Sequence, residues 1–181
     1  IGIPRPLRDF LAAEAEKQFK LPPSGLLLNA SHTHSGPELR GHKYILLDLA
    51  DERQKQGIAY FKSLQEKLLT IIGQSLENLA PAELSYQHAR AGFAMNRRTP
   101  VDGGYRNHPH PDGPVDHDVP VLKVQKAGEK GELLALLFGY SCHNTTLSFF
   151  QFCGDYAGYA QQYLEEAHPG ATALFLNGAS G

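Results

Sequence analysis

Two histidines one residue apart are the first candidates for chemistry in this sequence. His32 and His34 follow a run of three leucines at 26–28, and Ser35, Gly36 and a proline come after them. Because alternate residues of extended backbone point to the same side, both imidazoles are expected to face one cavity. Histidine nitrogen is a common zinc ligand, but a zinc site needs further ligands. The pattern therefore predicts either part of a metal site or two surface histidines.

Further polar groups follow two later apolar runs. His143 comes after residues 133–142, and a turn of small residues containing Asn177 and Ser180 comes after residues 171–176. Ligands of open α/β sheets bind beyond the carboxyl ends of the strands, so we expect these groups to gather at one sheet edge. Imidazoles from two strands suit zinc. Metal-assisted hydrolysis of a carbonyl substrate is the reaction class that this set indicates.

Two other residue types could take part in such a reaction. Arg97 or Arg98 could stabilise an oxyanion, although arginine is also a common surface residue. Ser180 is either a nucleophile or a turn residue, and the turn is favoured because the sequence offers no partnered base. His108 and His110 lie in a segment rich in glycine and proline, residues 101–114. That segment is expected to be an irregular loop, with both histidines in solvent.

Helices and strands alternate along the rest of the chain. Apolar periodicity predicts helices at 7–19, 51–79 and 155–167, with Asp155 as an N-cap and the apolar stripe of the second helix in the core. Strands are predicted at 26–28, 83–93, 115–124, 133–142 and 171–176, the third and fourth forming a hairpin and the second carrying a structural His88. The predicted fold is α/β: a buried mixed or parallel sheet flanked on both faces by amphipathic helices, with the site at the carboxyl ends of the strands.

Composition excludes several classes of function. The chain has 181 residues, of which 41% are hydrophobic and 20% charged, as in ordinary globular domains. A net charge of -2 without a basic stripe argues against nucleic acid as a partner. No apolar run reaches the roughly 20 residues of a membrane span, and no signal peptide is recognisable. Cys142 and Cys153 are expected to be unpaired, small buried residues. The first and last residues suggest that residues 1–181 are part of one domain, truncated at both ends.

The segment around the paired histidines also resembles a known family. Asn29-Ala30-Ser31-His32-Thr33-His34-Ser35-Gly36-Pro37 is similar to the T-H-T-H-S-G-P segment of the neutral and alkaline ceramidases, the non-lysosomal N-acylsphingosine amidohydrolases. Further landmarks occur in the family's order: Asn96-Arg97, Val115-Asp116, His143, Gly154-Asp155 with Gly158-Tyr159-Ala160, and finally 177–181. The resemblance covers nearly the whole chain and places it in the N-terminal catalytic domain of such an enzyme.

The resemblance implies a role for four residues. His32 and His143 would be zinc ligands, and His34 and Arg97 would contact the polar head of the substrate near the scissile amide. The family's catalytic serine and its remaining zinc ligands, a glutamate and a tyrosine, would fall beyond residue 181, so Ser180 would be a neighbour of the nucleophile.

Three functions follow as expectations. The first is a zinc-dependent amidohydrolase that cleaves the N-acyl amide bond of ceramide or a related lipid amide, located outside the cytoplasm and touching membranes through its substrate. The second is a metal-dependent hydrolase of a non-lipid amide or ester. The third is a binding domain with a ceramidase-like fold and no catalysis.

Overall fold

The computed structural model describes residues 2–128 and 131–180 and shows an α/β fold, as predicted. Four α-helices, one 3-10 helix (Pro23–Gly25) and six strands are present in this part of the chain. The helices are α1 (Arg5–Phe19), α2 (Gly41–Leu46), α3 (Asp51–Glu77) and α4 (Asp155–Ala167). The strands are β1 (Ala82–Arg90), β2 (Asn96–Val101), β3 (Gly104–His110), β4 (Asp118–Lys126), β5 (Leu133–Tyr140) and β6 (Thr172–Asn177).

The larger sheet is mixed and has the order β1-β4-β5-β6. Strands β1, β4 and β5 are antiparallel neighbours, so the predicted β4–β5 pairing is confirmed, whereas β6 pairs with β5 in parallel. Tyr140 at the end of β5 lies beside Asn177 at the end of β6. Because these two strands run the same way, the segments that leave them start at one edge of the sheet. His143 and Ser180 both belong to those segments.

The core lies on one face of this sheet. Phe138, Tyr140, Ala173 and Phe175 are buried together with Ala157 of α4, and the rings of Phe138 and Phe175 meet edge to face. The opposite face is open among the described residues: Leu84 of β1 is 65% exposed and Leu174 of β6 is 48% exposed. The prediction of a sheet covered on both faces is therefore wrong. The physical reason is that α1 packs against α3, and neither helix packs against a described strand.

Helices α1 and α3 begin and end close to the predicted positions. Leu7, Leu11 and Ala15 of α1 are buried, and Gly73 of α3 leaves room for the ring of Phe19. The apolar stripe of α3 is only partly core, because three of its predicted core residues are at least half exposed: Ile58, Ile71 and Leu79.

No helix in residues 2–128 and 131–180 combines the length and the apolar character needed to cross a bilayer.

Residues 26–28 do not form the predicted buried strand. They carry no strand hydrogen bonding, and Leu27 is 76% exposed. The next segment instead contacts β6 through one side chain: the amide of Asn29 donates to the carbonyl of Asn177 and accepts from its N–H, at 3.5 and 3.1 Å. The three leucines are therefore not a buried strand, because their own backbone pairs with no strand among the described residues.

The segment at 101–114, predicted to be irregular, contains much of a hairpin. Strands β2 and β3 pair antiparallel across a two-residue turn, Asp102–Gly103, and Gly103 has a φ of +79°. Asp-Gly is a strong hairpin signal, and here the glycine of the pair takes the positive φ while Asp102 does not. The prolines Pro100 and Pro109 are tolerated because each strand of a two-stranded sheet is an edge strand. The prediction of an irregular loop is wrong here because the Asp102–Gly103 turn allows the flanking segments to pair despite their prolines.

Candidate metal centre

Three histidine rings from two distant segments meet beyond the ends of β5 and β6. The ring centroids lie 5.3 Å apart for His32 and His34, 4.6 Å for His32 and His143, and 5.1 Å for His34 and His143. One nitrogen from each ring lies within 4.8 Å of the other two. The structure thus brings together the histidines selected from the sequence, at the sheet edge where they were expected.

The orientation of His143 is set by the turn that follows β6. Its Nδ1 lies 3.1 Å from the carbonyl oxygen of Ser180. A carbonyl oxygen only accepts, so Nδ1 carries the proton and Nε2 of the neutral ring keeps its lone pair. That Nε2 lies 3.2 Å from Nε2 of His34. A backbone carbonyl that fixes the tautomer in this way is the usual outer partner of a histidine that binds a metal.

The segment carrying His32 and His34 is held by side chains and backbone of the 142–155 region. The hydroxyl of Thr33 donates to the carbonyl of Cys153 at 2.9 Å, and the N–H of Cys153 donates to the carbonyl of Ser35 at 2.9 Å. The amide of Asn144 donates to the carbonyl of Ser31. His32 has a φ of +65°, so the two rings do not converge through extended backbone as predicted. A left-handed turn and these long-range hydrogen bonds bring them together instead.

Asn144 is a residue that sequence reasoning missed. Its side chain is fully buried, and while its Nδ2 holds Ser31, its Oδ1 accepts from the N–H of Ala157 in the first turn of α4 at 3.3 Å. One side chain therefore ties the His32 segment, the residue after His143 and the helix together. The available signal was an asparagine directly after the strand-end histidine, since buried amides generally have both ends hydrogen bonded.

Asp155 does not cap α4 in the predicted way. It is 1% exposed and has a φ of +56°. Its carboxylate accepts from the hydroxyl and N–H of Thr146, the N–H of Leu147 and the N–H of Tyr156. Burial raises the pKa of Asp155, but the hydrogen bonds, that of the Thr146 hydroxyl first, outweigh burial and leave the pKa below its usual value. The carboxylate therefore fixes the loop that carries His143, while Asn144 contacts the helix N-terminus.

Gly154 allows the close approach at the start of α4. A Cβ there would lie 2.8 Å from the backbone Cα of Gly158, whereas a Cβ at Gly158 would meet no atom within 4 Å. We expect Gly154→Ala to lower the free energy of unfolding by about 1–3 kcal/mol because the backbone must shift. Gly158→Ala is the matched control, expected to be neutral or to stabilise by about 0.5–1 kcal/mol. Urea unfolding of both variants measures the difference, and equal stabilities would contradict this account of Gly154.

The cluster favours neutral imidazole at His34. Burial lowers the pKa of His34, and the neighbouring His143 and His32 lower it further. A lowered pKa keeps the ring uncharged at neutral pH, which leaves one nitrogen lone pair on it. Neutral imidazole is the form that binds metal.

The geometry fits a metal ion held by imidazole nitrogens. Tetrahedral zinc with bonds of about 2.0–2.1 Å to histidine separates its ligand nitrogens by about 3.4 Å. The observed His34–His143 separation is 3.2 Å, and all three donor nitrogens lie within the 4.8 Å already described. The fixed tautomer of His143 adds to the fit. The three histidines can therefore hold a metal ion, and the donor set by itself is compatible with several borderline metals.

Arg97 lies in a groove that includes His143. The groove has a volume of about 330 Å³, and its lining includes Phe93, Met95, Arg97, His108 and His143. Arg97 thus lines the same groove as His143, whereas the neighbouring Arg98 is exposed and does not line this groove. His108 is exposed, as predicted. The sequence did not predict that it would line the groove that contains His143. His110, predicted to lie in solvent, is half-buried, with its Nδ1 3.2 Å from the carbonyl of Arg98.

The remaining candidates have structural roles. His88 lies 2.8 Å from a carboxylate oxygen of Asp118, consistent with the structural role predicted for it. Cys142 and Cys153 are free, as expected, although both are only half-buried. The contribution of Ser180 that the structure shows is the carbonyl that orients His143.

Among comparisons with known proteins, only the comparison with solved structures found matches, and these support the fold. No protein-family model matches the chain, and no curated protein matches it in sequence. Solved structures do match. Neutral ceramidase from Pseudomonas aeruginosa superposes with a TM-score of 0.68 at 20% identity over 94% of this chain and 28% of that one. A ceramidase complexed with C2 gives 0.68 at 19% identity, over 94% and 27%. The chain spans less than a third of these ceramidase chains and shares their fold.

Proposed function

We propose that this chain is part of a zinc-dependent amidohydrolase that cleaves the N-acyl amide bond of ceramide or a related lipid amide. The observation that supports this most is the convergence of three histidines at the carboxyl ends of β5 and β6, in a chain with the fold of solved ceramidases. The same comparison supports a hydrolase in general. The lipid substrate, the identity of the metal and a location outside the cytoplasm are parts of the proposal.

The proposal gives each residue a separate task. His32 and His143 hold the metal, and the Ser180 carbonyl keeps the Nε2 lone pair of His143 available. Zinc in this position would supply a Lewis acid that polarises the amide carbonyl and lowers the pKa of bound water. Arg97 and His34 bind the polar end of the substrate. The Nε2 atom of His34 lies 3.2 Å from that of His143, so metal analysis of variants must separate a substrate role of His34 from a metal role.

The role of Arg97 is testable with its neighbour as control. We expect Arg97→Ala in the full-length protein to lower kcat/KM for amide hydrolysis about 10²- to 10³-fold, as loss of one group that stabilises a transition state does. Zinc content should stay unchanged because the side chain is not a ligand. Arg98→Ala should keep both kcat/KM and zinc, since Arg98 does not line the groove. Equal activity of the two variants would contradict the assignment.

The substrate class is tested by a panel of amides. The proposal expects hydrolysis of ceramide and of other long-chain N-acyl amines by the full-length protein with zinc. Turnover confined to short N-acyl amines or esters would replace the lipid substrate with a non-lipid one. Zinc binding without hydrolysis of any amide or ester would favour a binding domain.

A further inference from the structure

An uncharged loop next to the histidine cluster exposes three phenylalanines. Phe149, Phe150 and Phe152 belong to the segment between β5 and α4, and residues 144–154 contain no charged side chain. Phe149 is 41% exposed, Phe152 82%, and Phe150 is fully exposed. Placing several phenyl rings in water is costly, and contiguous exposed apolar groups mark surfaces that bind a partner or a membrane. We refer to residues 149–152 as the phenylalanine loop.

Hydrogen bonds hold both ends of this loop, whereas its phenylalanine side chains are exposed. On one side, Thr146 and Leu147 are bound to the buried carboxylate of Asp155. On the other side, Cys153 forms hydrogen bonds with Thr33 and Ser35. Both ends are thus attached to the segments that carry the histidines. The loop is therefore anchored at both ends to segments that carry the histidines, which keeps it beside the cluster.

The phenylalanine loop also borders a groove that reaches the cluster. That groove has a volume of about 410 Å³ and is lined by His34, Ser35, Gly36 and the loop itself. On the His143 side, the groove already described carries exposed Phe93 and Met95. The His34 and His143 nitrogens that join the two grooves are 3.2 Å apart. The candidate centre thus has exposed apolar side chains on two sides.

We propose that the phenylalanine loop inserts into the surface of an electrically neutral lipid layer. The insertion places the two grooves beside the histidine cluster against this layer. Charge favours this occupant. The two grooves contain no acidic side chain and only one permanent cation, Arg97, in their linings. A surface for anionic lipid would need a basic cluster, which these linings lack. Exposed phenyl rings beside grooves with little charge suit zwitterionic lipid, because the burial of apolar area then supplies the free energy of binding.

Binding to vesicles tests the insertion without any hydrolysis, so its outcome is independent of the proposed function. The full-length protein is incubated with sucrose-loaded phosphatidylcholine vesicles and sedimented. We expect it to bind, and Phe150→Ser and Phe152→Ser each to lower the partition coefficient about tenfold, the value of one buried phenyl ring. Tyr163→Ser, at an aromatic residue of α4 that is 71% exposed, is the control and should bind like the parent protein. Thermal melts identify variants that fail to fold, and Phe150→Leu, which keeps an apolar side chain, should retain most of the binding.

Three results would overturn the proposal. The first is a parent protein that stays in the supernatant with phosphatidylcholine vesicles. The second is a folded Phe150→Ser variant that sediments as well as the parent. The third is a loss of self-association, measured by size-exclusion chromatography without lipid, that parallels the loss of sedimentation in the serine variants. That result would make the phenylalanine loop an interface between protein molecules.

Discussion

His143→Ala in the full-length protein should lose bound zinc and amide hydrolysis together. The substitution removes a ring whose proton position is fixed by the Ser180 carbonyl and whose Nε2 lies 3.2 Å from that of His34. We expect hydrolysis to fall by at least about 10²- to 10³-fold, since the group that polarises the carbonyl is lost with the ligand. Metal analysis after dialysis and initial rates on an N-acyl amide measure both effects. His32→Ala should behave in the same way.

Two further variants separate ligand from substrate roles. His34→Ala should reduce hydrolysis but retain zinc if His34 binds substrate, as proposed. Loss of zinc in that variant would assign the ring to the metal instead. His168→Ala, at the exposed end of α4, is the matched control and should leave both zinc and rates unchanged. Full activity of His143→Ala with undetectable metal would contradict the zinc mechanism.

Asp155→Ala should be among the most destabilising single substitutions in this chain. It removes a buried carboxylate that accepts hydrogen bonds from Thr146, Leu147 and Tyr156 and leaves those donors without it. Hydrogen bonds to a charged group are worth about 1.5–3 kcal/mol each, so we expect a loss of about 3 kcal/mol or more in the free energy of unfolding. Zinc affinity should fall as well, because the loop after β5 positions His143. Asp9→Ala, at an exposed carboxylate, should have little effect.

The effect of Asp155 should depend on pH in one direction. Because its pKa is lower in the folded protein than in the unfolded chain, its stabilisation is present above the unfolded value of about 3.9. It is lost as the pH falls through the folded pKa. The stability difference between parent protein and Asp155→Ala, from urea unfolding, should be constant well above the unfolded pKa and should shrink as the pH falls below it. A difference that grows with acid would contradict the lowered pKa.

The position of the site could be predicted from the sequence, but its internal geometry could not. His143 was identified because an apolar strand ends just before it, and the parallel pairing of β5 with β6 then places the small-residue turn beside it. The convergence of His32 and His34 was expected for the wrong local reason. Backbone periodicity says nothing about the positive φ at His32 or the hydrogen bond from Asn144 to Ser31, which joins residues 113 apart in sequence.

The burial of apolar side chains could likewise be predicted only in part from the sequence. Hydrophobic periodicity located α1, α3 and α4 closely, because apolar spacing is a local property. Which apolar faces are covered depends on what packs against them. The α3 stripe and β1 are therefore more exposed than their patterns indicate, and the leucines at 26–28 are not a strand. Asp155 is a structural residue, as predicted, but most of its hydrogen bonds come from Thr146 and Leu147 of the preceding loop and only one from α4, which a helix-capping rule does not describe.

The most direct test of the histidine centre is the position of the metal itself. Crystals of the full-length protein grown with zinc, measured on both sides of the zinc absorption edge, would locate the ion by its anomalous difference density. We predict a peak at about 2.0–2.1 Å from one ring nitrogen each of His32 and His143. Anomalous density only at other groups, such as His88 with Asp118, with the cluster free of metal, would contradict the account.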